Sequence, residues 1–324
     1  MPHPPPTPVP SRISASLGLR TVGAVIVAVV AVSSAAPLIA FAAAPALVVA
    51  FWRNALAVGA LGAFAAVRRR AEFVTLLRSD PRHLRYCVLA GAALAAHFGT
   101  WTPSVHLTSV AAATALVATQ PVWQGMIAVR QGRSLSAATW VGIAVTVVGA
   151  VLATGADFGV SGRAVLGDLL ALIGGLAGAV YTALGEQARV AVSTTVYTTI
   201  CYGVCALLLA VAAVAFGLPM VGFEPTTWAA ILGLVVGAQL LGHSLFNYVL
   251  RRVAATTVSV LLLLEVPGAA LIAWVWLGQA PRPAALPGLA LLVIGVAVVV
   301  LGSTRGRPTP DPRSAGSSVD TGCR

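Results

Sequence analysis

Apolar runs of about 20 residues are long enough to cross a hydrocarbon core as a helix. Ten of them recur along the chain, at 22–41, 46–67, 85–103, 108–129, 137–154, 166–187, 196–217, 228–249, 254–277 and 284–302. The runs are continuously apolar rather than alternating, which excludes a β-barrel. Several connections are only a few residues long, so neighbouring helices are expected to be antiparallel hairpins. The pattern predicts an all-α integral membrane fold of ten transmembrane helices.

Composition strengthens this reading. Hydrophobic residues make up 58% of the 324 residues, charged residues only 9%, and the mean hydropathy is +0.93. A soluble domain carries about 25% charged residues, so the solvent expected here is the lipid bilayer. The net charge of +11 would suit a nucleic-acid binder. The basic residues are instead scattered between apolar runs, with no basic face and no interleaved aromatics, so no nucleic acid is expected as a partner.

All 20 basic residues are arginine, and their positions orient the chain. Arg12 and Arg20 precede the first span. Arg68, Arg69, Arg70, Arg78, Arg82 and Arg85 follow the second, and Arg130 and Arg133 follow the fourth. Arg189 follows the sixth, Arg251 and Arg252 the eighth, and Arg305, Arg307, Arg313 and Arg324 the tenth. These seventeen fall on one side, against Arg163 and Arg282 on the other, with Arg53 inside span two. Cytoplasmic loops retain positive charge. The expected protein is therefore multi-pass in the plasma (inner) membrane, with an even number of spans and both termini cytoplasmic. Met1–Pro10 is too proline-rich for a helix, and with no cleavage site evident the first span is expected to be retained. Residues 1–20 and 303–324 are expected to be disordered tails. Cys87, Cys201, Cys205 and Cys323 form no CxxC pair, so neither a disulfide framework nor a metal site is expected.

The two halves resemble each other. Gly91-Ala92-Ala93-Leu94-Ala95-Ala96-His97 in span three matches Gly237-Ala238-Gln239-Leu240-Leu241-Gly242-His243 in span eight, at an offset of 146. Gly142 and Gly149 in span five match Gly288 and Gly295 in span ten at the same offset, and Gln120-Pro121 in span four lies opposite Glu265-Val266-Pro267 in span nine. Residues 21–155 and 156–302 are read as two five-helix repeats. Five is odd, so the second must enter the membrane inverted, a recurring plan in secondary transporters.

Polar residues at membrane depth cost at least a few kcal/mol by insertion scales and suggest function by default. Glu265 falls at the midplane of span nine. It either couples proton entry to solute exit or is a hydrogen-bonded carboxyl that holds helices together. Gln120, its repeat partner, either lines the site or joins helices. Pro121 and Pro267 are expected to kink their helices and free backbone carbonyls. His97 and His243 are candidates for substrate or proton contact or for simple packing, and Asn247 lies one turn from His243. Arg53, about seven residues into span two, either binds an anionic group of the solute or snorkels outward. Trp52, Trp101, Trp228, Trp274 and Trp276 fall mostly toward span ends and read as interface anchors. Asp168 and Glu186, near the ends of span six, are given no role. Gly174, Gly175 and Gly178 suit close helix approach.

These features taken together, with His97-Phe98 and Trp101, Gly242-His243 and Asn247, and the run from Leu250-Arg251-Arg252 through Leu264-Glu265-Val266-Pro267 to Leu277-Gly278-Gln279, resemble the EamA-type transporters of the drug/metabolite transporter superfamily. Two departures stand out. A valine separates Glu265 from Pro267 where the family usually has Glu-Pro, and Gln279 replaces a usual acid. The resemblance implies secondary transport, often export, of an amino acid-like solute, another metabolite or a drug. The expected partners are that small-molecule solute, a proton as coupling ion and the bilayer, with no cofactor or metal; a homodimer is left open. An importer, a facilitator or a lipid scramblase remains an alternative within transport. A lipid-processing membrane enzyme would need a clustered acid, nucleophile or metal set, and no such motif occurs. A non-transporting assembly protein would leave the repeat and the midplane polar residues unexplained.

Overall fold

The computed structural model describes residues 18–108, 113, 116–154, 162–277 and 283–305. All regular elements among them are helical. The two tails beyond these residues, Cys323, Gln279 and Arg282 lie outside the described residues, as does part of span four.

In chain order the helices are α1 (Leu19–Ser33), α2 (Ala35–Phe41), α3 (Ala46–Arg68), α4 (Arg70–Ser79), α5 (Pro81–Leu107), α6 (Gln120–Arg130), α7 (Ala137–Thr154), α8 (Gly162–Ala188) and α9 (Thr194–Ala215). Then follow α10 (Pro225–Leu234), a π-helical segment (Val235–His243), α11 (Ser244–Val249), α12 (Ala255–Leu262), α13 (Glu265–Leu277), a 3₁₀ turn (Pro283–Ala285) and α14 (Leu286–Arg305). Among the described residues, 6 stretches can cross a membrane by length and composition: Leu19–Ile39, Ala46–Arg68, Gly162–Ala188, Thr194–Ala215, Pro225–Val249 and Ala255–Ile272; Ala137–Ala153 and Leu286–Leu301 are shorter apolar helices. The helix α5 has 27 residues but starts with Arg82, His83 and Arg85 and carries His97, Pro103 and His106.

Where they are described, the predicted spans fall on helices, but several are not single rods. Span one breaks at Ser34, whose hydroxyl donates to the Ala31 carbonyl (2.7 Å). Span eight passes through nine residues of π-helix. Span nine breaks at Leu263–Leu264. The stretch read as a loop after span two is helix α4, and Arg85 lies inside α5. Asp80 caps α5 by accepting from the His83 N–H (3.2 Å), with Pro81 in the first turn, where its missing N–H is harmless. That backbone bond, joined by the His83 ring, holds the Asp80 carboxyl below its usual range.

Leu207, Val211 and Val214 on α9 and Ile294 on α14 face outward, 56% to 67% exposed. Only a hydrocarbon solvent makes such a surface favourable. With lipid outside, apolar side chains gain little by hiding, and helices associate through small residues that permit close backbone approach. The contact of α7 with α14 is built this way. A Cβ at Gly142 would meet the Gly295 carbonyl, and one at Gly295 the Gly142 carbonyl. A Cβ at Gly149 would strike the backbone of Leu292, and one at Gly288 the backbone of Ala153. The glycines matched in the sequence repeat are thus partners across one interface.

The main packing partners follow an exchange of halves. Three pairings join equivalent spans: α3 with α9, α6 with α12, and α7 with α14. The others come in swapped couples. The contact of α5 with α8 corresponds to that of the π segment with α1, α5 with α9 to the π segment with α3, and α6 with α8 to α13 with α1. The halves interlock, so neither buries its own polar residues alone.

Candidate functional site

The polar residues of the apolar runs converge where α3, α5, α8, α9 and the π segment meet. Arg53 on α3 is 1% exposed and does not snorkel. Its Nε donates to Gln239 Oε1 (2.9 Å), and Gln239 Nε2 in turn donates to Asn54 Oδ1 (2.9 Å). Its guanidinium lies 4.3 Å from the centre of the Phe98 ring. Arg53 Nη2 is buried and has no hydrogen-bond partner among the described residues.

The π segment brings Gln239 to this position. The Gln239 carbonyl accepts from the N–H of Ser244, five residues on, and from its hydroxyl (3.1 Å). A π turn widens the helix and re-aims its side chains, and such turns recur at functional sites. It also carries His243, whose ring packs edge-on to Phe98 (5.5 Å) and near Tyr181 (6.2 Å). His97 flanks the same phenylalanine (5.0 Å), stacks on Trp101 (5.8 Å) and bonds through Nδ1 to the Gly174 carbonyl (2.8 Å). Trp101 is therefore part of the interior, not an interface anchor; it is 7% exposed and its Nε1 has no partner among the described residues. Trp52 donates to the Met220 carbonyl (2.7 Å) and packs on Trp228 (5.2 Å).

Asn247, one turn beyond His243, pairs its amide with the Tyr181 hydroxyl (2.7 and 3.0 Å) and reaches the Tyr202 hydroxyl (3.5 Å). It joins α8, α9 and α11. Replacing Asn247 by leucine strands the buried Tyr181 hydroxyl, while Tyr202 keeps Ser244 Oγ (3.2 Å), and an unsatisfied buried polar group costs about 1–3 kcal/mol. Interhelical bonds in membranes couple by about 0.6 kcal/mol on average. The expected result is that Tyr181→Phe recovers part of the loss caused by Asn247→Leu, read as non-additive thermal melts of the singles and the double.

Gln120 and Glu265 each begin the second half of a broken helix. Residues 118–119 form a turn before α6, and residues 263–264 form a turn before α13. Pro121 is the second residue of its half-helix and Pro267 the third. The extra valine thus shifts the proline and not the break. Gln120 Nε2 donates to the Thr182 hydroxyl (3.3 Å). A Cβ at Gly178 would meet both Gln120 Oε1 (2.9 Å) and His97 Nδ1 (3.1 Å), so this glycine lets both side chains approach α8. Gly175 faces the Leu116 and Val117 carbonyls at the break of span four. Glu265 is partly accessible, and no hydrogen bond or ion pair engages its carboxylate among the described residues. It lies within electrostatic reach of Arg53.

Arg53, His97, His243 and Asn247 thus gather around Phe98 and Tyr181, with Gln120 beside His97. Sequence reasoning missed Gln239 and Asn54, and both had a signal. Gln239 stands where the first repeat has Ala93, and Asn54 adjoins Arg53 in an apolar run. Tyr181 and Tyr202 had none, since their partners are distant in sequence. Glu186, given no role, forms a two-point ion pair with Arg133 (2.8 and 2.9 Å) and accepts from the Ala255 N–H (3.3 Å).

Among curated proteins no match is found. Among solved structures, a crystal structure of a protein is similar at a TM-score of 0.71 and 22% identity, over 88% of this chain and 98% of that one. At that identity the likeness is one of fold. The profile of the EamA-like transporter family matches residues 19–155 and again residues 165–301, once in each half, and the chain belongs to that family.

Proposed function

We propose that this protein is a secondary active transporter of ten spans in two inverted repeats, which exports an amino acid-like solute across the plasma membrane by proton antiport, with both termini cytoplasmic. Membership of the family supports transport of a small solute by a multi-pass membrane protein. What supports the finer reading is two incompletely satisfied ionisable groups at span depth, Arg53 buried and Glu265 partly accessible. Arg53 has an unpartnered amino nitrogen, and Glu265, within its electrostatic reach, has no bonded partner among the described residues. A zwitterion suits that pair, its carboxylate on Arg53 and its ammonium on Glu265.

The same arrangement supplies coupling. An ammonium group binds the ionised Glu265 carboxylate and is excluded when that carboxyl carries a proton. Solute and proton then occupy Glu265 in turn, one proton for one solute. Interlocked halves related by exchange favour two states of similar energy, open to opposite sides. The breaks at 118–119 and 263–264 interrupt two spans beside the site.

The test uses purified protein in liposomes with an imposed pH gradient, and a panel of zwitterionic amino acids, purines, sugars and cationic drugs. Wild type is expected to dissipate the gradient with zwitterions. Glu265→Gln keeps the shape but fixes the neutral form, and is expected to lose both zwitterion binding and proton movement. Gradient-driven transport surviving in Glu265→Gln would exclude proton coupling through this residue. Tracer uptake with no proton movement in wild type would mark a facilitator instead.

A further inference from the structure

On the arginine-rich side, a cavity of about 330 Å³ opens between the ends of α3, α9 and α11. Arg69, Arg189, Arg251, Arg252, Tyr248 and the start of α9 at Ser193, Thr194 and Thr195 line it. These guanidiniums come from three separate connections of the chain, so their meeting is a product of the fold. Arg189 is 2% exposed and is the anchor of the wall. Its Nε donates to the Asn247 carbonyl (3.0 Å), its Nη2 to the Thr194 hydroxyl (2.6 Å), and its Nη1 to the Val192 carbonyl.

The charge of the cavity is unbalanced. One acid is near, Glu72, and it already accepts from the Ser193 N–H (2.6 Å) and faces Arg69 at 3.7 Å. Among the described residues neither Arg251 nor Arg252 has an ion-pair partner, and Arg252 stacks on Tyr248 (4.6 Å). Arg189, just outside its span, has its pKa lowered to about 10, first by desolvation and next by the charge of Arg251. Like charges gathered without counter-ions repel each other unless an anion sits between them. Guanidinium forks suit phosphate oxygens, and hydroxyls of Thr194 and Thr195 offer further donors. Basic pockets between spans on the cytoplasmic side bind anionic lipid headgroups.

We infer that this cavity is a phosphate-binding site, separate from the solute site, that takes the phosphate group of an anionic lipid headgroup or of a soluble phosphate. The choice of lipid source rests on the cytoplasmic placement of this face proposed above. An occupant ties the ends of α3, α9 and α11 together and so links both repeats at one surface.

The experiment compares binding to the full protein without any transport step, so its failure leaves the transporter reading untouched. In one arm, protein in nanodiscs of phosphatidylcholine with or without phosphatidylglycerol is examined by native mass spectrometry for retained lipid. In the other, detergent-solubilised protein is titrated with inorganic phosphate against chloride at constant ionic strength, read by thermal melting. The expected result is saturable retention or stabilisation in at least one arm. Arg251→Gln with Arg252→Gln should weaken it about thirtyfold, from about a factor of five per lost arginine. Arg68→Gln with Arg78→Gln, on the same side but outside the cavity, should leave it unchanged. Lipid retention alone assigns the headgroup, and phosphate response alone assigns a soluble ligand. No preference in either arm, or equal losses in both double variants, overturns the site.

Discussion

Replacing Arg53 by methionine should abolish uptake of zwitterions while leaving the protein folded. Removing one partner of a buried charge pair costs about 3 kcal/mol of binding, roughly a hundredfold. The fold should tolerate the change, because methionine matches the length of the stem and removes a charge that is 1% exposed. What remains is Gln239 with one neutral oxygen unpaired, worth about 1–2 kcal/mol. The reverse substitution is the harsher one. Gln239→Leu leaves the guanidinium buried without its partner at 2.9 Å, and stranding a buried charge costs about 3–5 kcal/mol. Thermal melts in detergent should therefore rank wild type first, Arg53→Met second and Gln239→Leu last. Equal stability of Gln239→Leu and wild type would mean that water, not Gln239, satisfies Arg53. Wild-type uptake by Arg53→Met would remove this arginine from the solute site.

Substituting leucine at Gly149 or Gly288 should destroy the folded protein. At each, even a Cβ would strike the backbone of the facing helix, and backbone cannot step aside as a side chain can. Overpacking a well-packed contact costs about 1–3 kcal/mol where side chains can shift, and more is expected here because α7 and α14 must separate. Gly59→Leu is the control, since that glycine has open space around it and faces outward, where leucine meets lipid. Yield of monodisperse protein on size exclusion should collapse for the first two and hold for the third. Normal yield of Gly149→Leu would show that α7 and α14 need not touch.

Much of the fold was legible because the bilayer imposes simple rules. Continuous apolar runs had to be helices, since no other single segment satisfies its own backbone in hydrocarbon. The four glycines of the repeat, equivalent as Gly142 with Gly288 and Gly149 with Gly295, meet at one interface in crossed pairs, Gly142 against Gly295 and Gly149 against Gly288. The site was legible only in part. Rarity of polar residues in apolar runs pointed to Arg53, His97, Gln120, His243, Asn247 and Glu265. It did not extend to Tyr181 and Tyr202, which look like ordinary apolar fill until Asn247 is brought against them. The interior stacking of Trp101 on His97 was hidden for the same reason, as tryptophan near a span end is most often an anchor.

The sequence by itself determined the solvent, the helical class, the two-fold internal repetition and the short set of polar residues within the apolar runs. Each follows from local chemistry: hydropathy over 20 residues, spacing of glycines, and the cost of a charge in lipid. Tertiary structure alone decided which of those residues meet. The π turn that brings Gln239 to Arg53 and the cluster of Arg69, Arg189, Arg251 and Arg252 depend on contacts between segments more than 50 residues apart, whereas the breaks before Gln120 and Glu265 fall where Pro121 and Pro267 interrupt the helical bonding locally. Such contacts leave no periodic trace in the chain, because they are set by how two interlocking halves bury each other's polar groups.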